Sequence, residues 1–219
     1  MQPDAETSFL IGMTKLYYGL NVKKQLKKIA TKISWAKGWP EDNKAFWEAE
    51  AFMWQYKIDK KIRDIISKEL SFLNFETSLK KKKLNNLDLG CGAYSYLPST
   101  GFDFSEKMLL FNENCHQKVQ GDLEKNLPFR DKEFSSITAI FILNYIKNID
   151  QLLVEINRIL KNKGYFVAIL SDREISSWPA QKVVNKLNIQ QWKNLIQNKG
   201  FDVNIVKKSG LWIFRAKKE

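Results

Sequence analysis

The first 83 residues of the chain carry apolar positions at helical spacing. One predicted helix has an apolar side that recurs roughly every three or four residues, with lysines on its other positions; its apolar members are Leu20, Val22, Leu26, Ile29 and Ile33. A second predicted helix begins at residues 40–43, Pro-Glu-Asp-Asn, where acidic residues suit a helix N-terminus. Its pattern breaks near 57–59 and resumes to residue 70. Residues 1–83 are therefore predicted to form a helical extension that ends in the charged linker Lys80–Lys83.

From Leu84 onward the pattern changes to short apolar strands that alternate with amphipathic helices. The predicted strands are Leu84–Leu89, a short strand ending at Asp103, Lys118–Gln120, Ile137–Leu143, Tyr165–Leu170, Phe201–Val206 and Leu211–Ala216. The predicted helices are Ser105–Asn114, Ile149–Leu160 and Ile189–Asn198. This alternation predicts an α/β fold with an open, mostly parallel seven-stranded sheet and helices on both faces. We expect two parts, the extension 1–83 and an α/β domain over 84–219.

Composition limits the class of protein. The chain has 219 residues, of which 44% are hydrophobic, so it can bury a core and is not globally disordered. Its apolar runs fall far short of the ~18 residues of a membrane span. The run Phe9–Met13 is also too short for a signal peptide. We therefore expect a cytoplasmic protein without a transmembrane segment.

Cysteine, histidine and charge narrow the chemistry further. Cys91 and Cys115 form no paired motif, and His116 is the single histidine, so neither a disulfide scaffold nor a metal site is expected. The net charge is +12, but only five of the 36 basic residues are arginine. Arginine is the preferred residue for bidentate phosphate recognition. We favour a solvated lysine surface, with an RNA or anionic membrane surface as the alternative partner.

Glycines and polar residues follow four of the predicted strands. The first strand runs into Gly90-Cys91-Gly92, where glycine allows positive φ and a close approach of ligand to backbone. Asp103 ends the second strand, where a carboxylate can accept both hydroxyls of a ribose. Asp122 follows the third strand and can accept a hydrogen bond from an exocyclic amine. Asn144 and Tyr145 follow the fourth strand, so all these residues are predicted at the ligand-binding edge of the sheet.

These segments resemble the class I S-adenosylmethionine (SAM)-dependent methyltransferases, particularly the small-molecule, methyltransferase type 11-like group. The corresponding motifs are LDLGCG (Leu87–Gly92), GFDFSEKML (Gly101–Leu109), GDLEKNLPFRDKEF (Gly121–Phe134) and EINRILKNKGYFVAIL (Glu155–Leu170). Each motif alone is common, but four in order at suitable spacing are specific. The resemblance covers residues 84–170, extends plausibly to 217, and leaves 1–83 outside. It implies a Rossmann-like fold, SAM as cofactor and methyl transfer to a small-molecule acceptor.

The resemblance also implies roles for individual residues. The glycines would pass under the methionine part of SAM, and Asp88 would organise the loop and the amino group of SAM. Asp103 would hold the ribose, and Asp122 with Leu123 would meet adenine. The implied cofactor-binding set is Asp88, Gly90, Gly92, Asp103, Phe104, Asp122, Leu123, Ala139 and Ile140. Tyr145, with Asn144 beside it, is the candidate for positioning the substrate. Aromatic residues of the extension are candidates for capping the pocket, as is Trp178; they are Trp35, Trp39, Trp47, Trp54 and Tyr56.

Two departures from the family pattern keep other functions open. Tyr94 stands where the family often has a third glycine, and only 13 positions separate Gly90 from Asp103, so the usual intervening helix must shrink to a turn. A catalytically silent SAM-fold binding module is therefore one alternative, and an RNA methyltransferase that uses the lysine surface is another. An NAD-dependent dehydrogenase is disfavoured because Ser95 occupies the last position of the G-x-G-x-x-G pattern.

Overall fold

The structure, a computed structural model, describes residues 3–79, 85–172 and 180–219. The extension contains four helices: α1 (Ala5–Tyr17), α2 (Lys23–Ala30), α3 (Asn43–Lys57) and α4 (Lys60–Leu79). The predicted break near 57–59 is confirmed, and Asp42 caps α3 by accepting a hydrogen bond from the Ala45 amide at 2.8 Å. Helix α1 was missed by the sequence pattern. The linker Lys80–Lys83 lies outside the described residues, so the division at residue 83 stays a prediction.

Helix α2 confirms the amphipathic pattern read from its sequence. Leu26 and Ala30 are buried, whereas Lys24, Lys27 and Lys28 are exposed. The apolar side of this short helix packs with Phe9 and Met13 of α1 in a cluster that belongs to the extension. Its lysines therefore face solvent, and binding of RNA or membranes by them stays a prediction.

The rest of the described chain builds a seven-stranded sheet. Its strands are β1 (Asn86–Leu89), β2 (Ser99–Asp103), β3 (Cys115–Gln120), β4 (Phe134–Ile140), β5 (Leu160–Ser171), β6 (Phe201–Lys208) and β7 (Leu211–Lys218). Their order is β3-β2-β1-β4-β5-β7-β6. Strand β7 runs antiparallel to β5 and β6, and the other neighbouring pairs are parallel. The α-helices whose bounds are described in this part are α5 (Glu106–Phe111), α6 (Ile149–Ile159) and α7 (Ile189–Gln197). The Rossmann-like α/β fold is confirmed.

Alternate residues of the strands enter two separate cores, one on each face of the sheet. On one face, Phe166 and Phe214 pack with Ile156 of α6 and Trp192 of α7. On the other face, neighbouring residues such as Val167 and Ile213 pack with Ile66, Leu70 and Leu73 of α4. The period-two alternation of the strands thus explains why helices cover both faces. Helix α4 fills one of these layers, so the extension is part of the fold's packing.

Strand β4 ends earlier than the sequence predicted. The apolar run Ile137–Leu143 was expected to be strand throughout, but β4 ends at Ile140. Phe141 has a φ of +59°, a left-handed conformation that leaves the extended path of the strand. A 3-10 turn at Leu143–Tyr145 follows, so Tyr145 reaches the site from a turn. Apolar composition alone does not distinguish the buried turn from a buried strand.

Arg158 ties helix α6 to the segment 127–131 that precedes β4. Its guanidinium donates to the backbone oxygens of Leu127 and Phe129 at 3.1 and 2.8 Å, and to Asp131 at 2.8 Å. It also forms two 2.8 Å hydrogen bonds with Glu155, whose carboxylate accepts the Leu127 amide. This network lowers the pKa of Glu155, chiefly through the Arg158 hydrogen bond. One side chain thereby fixes part of the predicted adenine motif, Gly121–Phe134.

Candidate functional site

The loop after β1 is shaped by its two glycines. Gly90 and Gly92 have φ values of +58° and +56°, which other residues rarely adopt. A Cβ atom on Gly90 would lie 2.4 Å from a side-chain carbon of Ile142, and one on Gly92 would lie 3.0 Å from the indole nitrogen of Trp54. Backbone conformation and space therefore both require glycine. The loop leads to β2 through turns at 90–98, as the short spacing predicted.

Asp103 joins the glycine loop to helix α5. Its carboxylate accepts hydrogen bonds from the backbone amides of Gly92 and Ser105, both at 2.9 Å. Ser105 caps α5, as predicted, by accepting the Met108 amide at 3.1 Å. Burial raises the pKa of Asp103 to about 6, and the nearby Glu48 carboxylate adds to the rise. A carboxylate has about four lone-pair sites, so two remain for a ligand.

Asp88 lies behind the loop rather than in the main cleft. Its carboxylate accepts the Ser95 hydroxyl at 2.6 Å and the Thr138 hydroxyl at 2.8 Å, which links the loop to β4. Burial raises its pKa to about 6. The side chain borders a small cavity beside the cleft, together with Gly90, Tyr94 and Tyr96.

The cleft itself opens at the carboxyl ends of β1, β2 and β4. It is lined by most of the predicted site residues, namely Gly90, Gly92, Asp103, Phe104, Asp122, Leu123, Ile140 and Tyr145. Ala139 does not line it, because it is fully buried in the core on the sheet face opposite to its neighbour Ile140. Asn144 does not line it either; its backbone oxygen accepts the amides of Val184 and Asn185. The structure therefore brings eight of the eleven predicted residues to one cleft.

Helix α3 forms one wall of the cleft. The sequence predicted only that aromatic residues of the extension cap the pocket. Asn43, Trp47 and Trp54 line the cleft from the extension. The Trp47 ring lies edge-on to Tyr145, with the ring centroids 5.2 Å apart. Trp39 is buried in the extension, and Tyr56 is 64% exposed, so neither caps the cleft. Trp178 lies outside the described residues.

Glu48 attaches α3 to the start of α5, and the sequence did not predict this contact. Its buried carboxylate accepts the amides of Glu106 and Lys107, at 3.0 and 3.1 Å, where α5 begins. These amides are among those that a helix leaves unpaired at its N-terminus. The contact joins residues 58 positions apart. No local pattern encodes such a pair, which explains why it was missed.

Two ionisable side chains near the aromatic wall of the cleft, Tyr145 and Glu50, have raised pKa values. Tyr145 is partly buried, and burial together with the nearby Glu50 carboxylate raises the pKa of its hydroxyl to about 12. Glu50 forms a buried ion pair with Lys57. Burial outweighs that attraction and raises the pKa of Glu50. Tyr145 is therefore protonated at neutral pH, and its hydroxyl can donate a hydrogen bond.

Other features give no competing site. His116 is exposed on β3 and does not line the cleft. Cys91 and Cys115 are buried and unbridged. Within the described ranges, no cluster of three or more His, Cys, Asp or Glu side chains is arranged to hold a metal ion. In the same ranges, no helix is both long enough and apolar enough to cross a bilayer.

The sheet order, with a cleft at the carboxyl ends of β1, β2 and β4, defines a domain of the Rossmann-like class. Residues 87–168 match the family described as methyltransferase domain. Over this segment the chain matches the SAM-dependent methyltransferases, which use SAM as their cofactor. The sequence resemblance is thereby confirmed.

Individual relatives agree with this assignment. The chain is 31% identical over 137 residues to an uncharacterized protein of Methanocaldococcus jannaschii, covering 58% of this chain and 59% of that protein. It is 37% identical over 106 residues to a demethylmenaquinone methyltransferase of Staphylococcus carnosus, covering 41% and 44% respectively. The chain thus spans about half the length of the curated relatives it matches. A SAM-dependent methyltransferase from Archaeoglobus fulgidus shares the fold, with a TM-score of 0.58 at 16% identity over 76% of this chain and 98% of that one.

Proposed function

We propose that this protein transfers a methyl group from SAM to a small-molecule acceptor with an apolar or aromatic surface. The observation that carries the proposal is one cleft that combines the glycine loop and a carboxylate with an aromatic wall. The glycine loop and Asp103 line one part, and Trp47 and Tyr145 line another. The demethylmenaquinone methyltransferase relative supports an acceptor of this kind, because that enzyme is named for a quinone substrate.

The residues of the cleft fit SAM. Asp103 keeps two free lone-pair sites for the ribose hydroxyls, and Asp122 and Leu123 line the cleft where adenine would lie. Gly90 and Gly92 line the cleft without side chains, so the methionyl part can approach their backbone closely. When bound, SAM supplies an electrophilic methyl group on its sulfonium, which carries its own leaving group.

The chain's own residues would position the acceptor and exclude water. Trp47 and Trp54 form an apolar wall, with ring centroids 5.8 Å apart, against which a flat acceptor can pack. Tyr145 would orient an acceptor oxygen or nitrogen by donating a hydrogen bond. Because its pKa is about 12, Tyr145 does not serve as a base near neutral pH. Catalysis by such a site rests mainly on orientation, which is the main requirement of an in-line displacement.

The direct test has two parts. Excess SAM or S-adenosylhomocysteine at ~100 times its dissociation constant should stabilise the protein by about 2.7 kcal/mol, raising the unfolding temperature by roughly 5–11 °C, with NAD as the inactive control. Radiolabelled methyl transfer to a panel of quinols, phenols and amines should then identify the acceptor. Stabilisation by SAM without turnover on any acceptor would favour a silent binding module. Steeply salt-dependent turnover on tRNA would favour the RNA alternative.

Removing the Tyr145 hydroxyl should affect the acceptor and not the cofactor. We expect Tyr145→Phe to lower kcat/KM for the identified acceptor by about 3- to 10-fold, the worth of one hydrogen bond, while the Kd of SAM stays unchanged. Tyr165→Phe is the matched control, because that tyrosine packs on Phe72 outside the cleft. Equal kinetics for Tyr145→Phe and wild type would remove Tyr145 from the positioning role.

The two buried carboxylates predict an unusual pH dependence for the ligand-free protein. Asp88 and Asp103 ionise near pH 6 when folded but near 3.8 when unfolded. Their contribution to stability is therefore full below about pH 4 and is lost as the pH rises through 6. We expect the free energy of unfolding, measured with urea, to fall by about 1–3 kcal/mol between pH 5 and 7.5. Asp103→Asn should flatten this slope, and an unchanged slope would assign it to other groups.

A further inference from the structure

The turn between α1 and α2 exposes large apolar side chains at the surface of the extension. Tyr18 is 76% exposed and Leu20 is 53% exposed, and Tyr17 beside them is exposed as well. The Tyr17 and Tyr18 rings pack edge-to-face, with their centroids 5.3 Å apart. Single exposed apolar side chains are common on soluble proteins, but three of them within residues 17–20 form a patch. We call residues 17–20 the tip of the extension.

The chain on both sides of the tip is basic and contains no acid. Residues 7–40 include seven lysines, no arginine, and neither aspartate nor glutamate. Lys15 precedes the tip and Lys24 follows it, and both side chains are exposed. Lys27 forms an ion pair with Glu41, the first acid after this stretch. The tip therefore combines apolar side chains with a local excess of positive charge.

Apolar side chains set among lysines are typical of a surface that binds an anionic bilayer. Tyrosine suits the interface between headgroups and acyl chains, because its ring is apolar and its hydroxyl is polar. Leucine can insert beside it, while lysines are attracted by anionic headgroups. Recognition of RNA phosphates favours arginine, which binds them in a bidentate manner, and residues 7–40 contain none. An exposed leucine adds nothing to a contact with phosphates, so the bilayer is the better match.

The tip is attached to the helix that forms a wall of the cleft. The Tyr17 hydroxyl donates a hydrogen bond to the backbone oxygen of Tyr56 at 3.1 Å, near the end of α3. Tyr56 is itself exposed, and Trp54, two positions earlier on the same helix, lines the cleft. A bilayer bound at the tip would therefore lie beside the end of the helix that carries the proposed acceptor wall.

We propose that the tip of the extension docks the protein on an anionic lipid bilayer. Tyr18 and Leu20 enter the interface, while Lys15 and Lys24 face the headgroups. The contact is peripheral, since within the described residues no helix is long and apolar enough to cross a bilayer. The inference goes beyond the proposed function and does not depend on it, because it concerns a surface outside the cleft.

Co-sedimentation of the full chain with lipid vesicles tests the proposal. Vesicles of phosphatidylcholine mixed with phosphatidylglycerol present an anionic surface, and vesicles of phosphatidylcholine alone present a neutral one. We expect wild type to bind the anionic vesicles at least about 10-fold more tightly than the neutral ones. Added salt should weaken this binding, because it screens the attraction between lysines and headgroups.

Replacing the two flanking lysines tests the charged part of the surface. Lys15→Gln with Lys24→Gln should weaken binding to anionic vesicles about 25-fold, since each lysine near such a surface contributes roughly 5-fold. Lys161→Gln with Lys186→Gln is the matched control, because these two lysines are exposed and lie outside the extension. The control should bind the vesicles as wild type does.

Replacing the two exposed side chains of the tip tests the apolar part. Tyr18→Ser with Leu20→Ser should weaken binding to anionic vesicles about 5- to 20-fold, because less apolar area enters the interface. Leu110→Ser with Val154→Ser removes two other exposed apolar side chains and should bind as wild type does. All four side chains are exposed, so each variant should unfold within about 1–2 °C of wild type.

The same measurements can overturn the assignment. Equal binding of wild type to anionic and neutral vesicles would remove the bilayer as the partner. Weaker binding after the lysine replacements, with none after the serine replacements at the tip, would show a contact through charge alone; tighter binding of tRNA than of anionic vesicles would then make RNA the partner. Equal losses in the control variants would assign the binding to the overall charge of the protein. Binding of SAM should stay the same in every variant, so a failure here leaves the proposed function standing.

Discussion

Asp103→Asn is expected to weaken SAM binding by at least about 100-fold. The two carboxylate lone pairs not used by Gly92 and Ser105 are available to two ribose hydroxyls. Each hydrogen bond to a charged group contributes about 1.5–3 kcal/mol, so losing the charge and one acceptor affects both. Asparagine keeps the shape and one acceptor oxygen, so the fold should remain. Isothermal titration with SAM and S-adenosylhomocysteine measures the loss.

Asp202→Asn provides the control for this substitution. Asp202 is an exposed acid on β6, at the opposite edge of the sheet from β3, so its change removes the same charge without touching the cleft. Circular dichroism should show the same spectrum for both variants and wild type. A folded Asp103→Asn chain with wild-type affinity would place the ribose elsewhere.

The second large effect is on stability. Arg158→Met removes hydrogen bonds to Leu127, Phe129, Asp131 and Glu155, and leaves the Glu155 carboxylate buried without its cation. Breaking a buried pair by removing one partner costs about 3–5 kcal/mol. Because the Arg158 side chain is 30% exposed, we expect a somewhat smaller loss of about 2–4 kcal/mol. The unfolding temperature should fall by roughly 5–15 °C.

Arg130→Met is the matched control for Arg158. Arg130 is an exposed residue of segment 127–131, and its replacement should change the unfolding temperature by no more than about 1–2 °C, as for other surface changes. Differential scanning calorimetry compares the two variants. Equal unfolding temperatures for Arg158→Met and wild type would show that segment 127–131 is held by its own packing.

The sheet was predictable because its signals are local. The strand run 86–89 ending at Gly90, the capped helix after Asp103 and the amphipathic helix 149–159 each carry their own pattern within a few residues. The order of these patterns along the chain then fixed the topology. The cleft followed, since parallel strands bring their carboxyl ends to one edge.

What the sequence did not predict depends on contacts between distant segments. Glu48 reaches α5, Arg63 reaches Tyr94, and Glu69 of α4 pairs with Arg215 of β7 at 2.6 Å, although no spacing within either segment marks these pairs. Ala139 was assigned to the cleft because a strand buried on both faces gives no sign of which alternate residues face the ligand. Helix α1 was missed because its apolar positions form no clear stripe.

The anchoring of α3 by Glu48 has a consequence for how this protein can diverge. Trp47 lines the cleft, while its neighbour Glu48 binds the start of α5. Consecutive residues on one helix thus separate the proposed acceptor wall from the attachment to α5. Replacing Trp47 would change the proposed acceptor wall and leave the contact between Glu48 and α5 in place. Paralogues with new substrates can therefore arise by changes confined to a single helical face, with the glycine loop and Asp103 inherited intact.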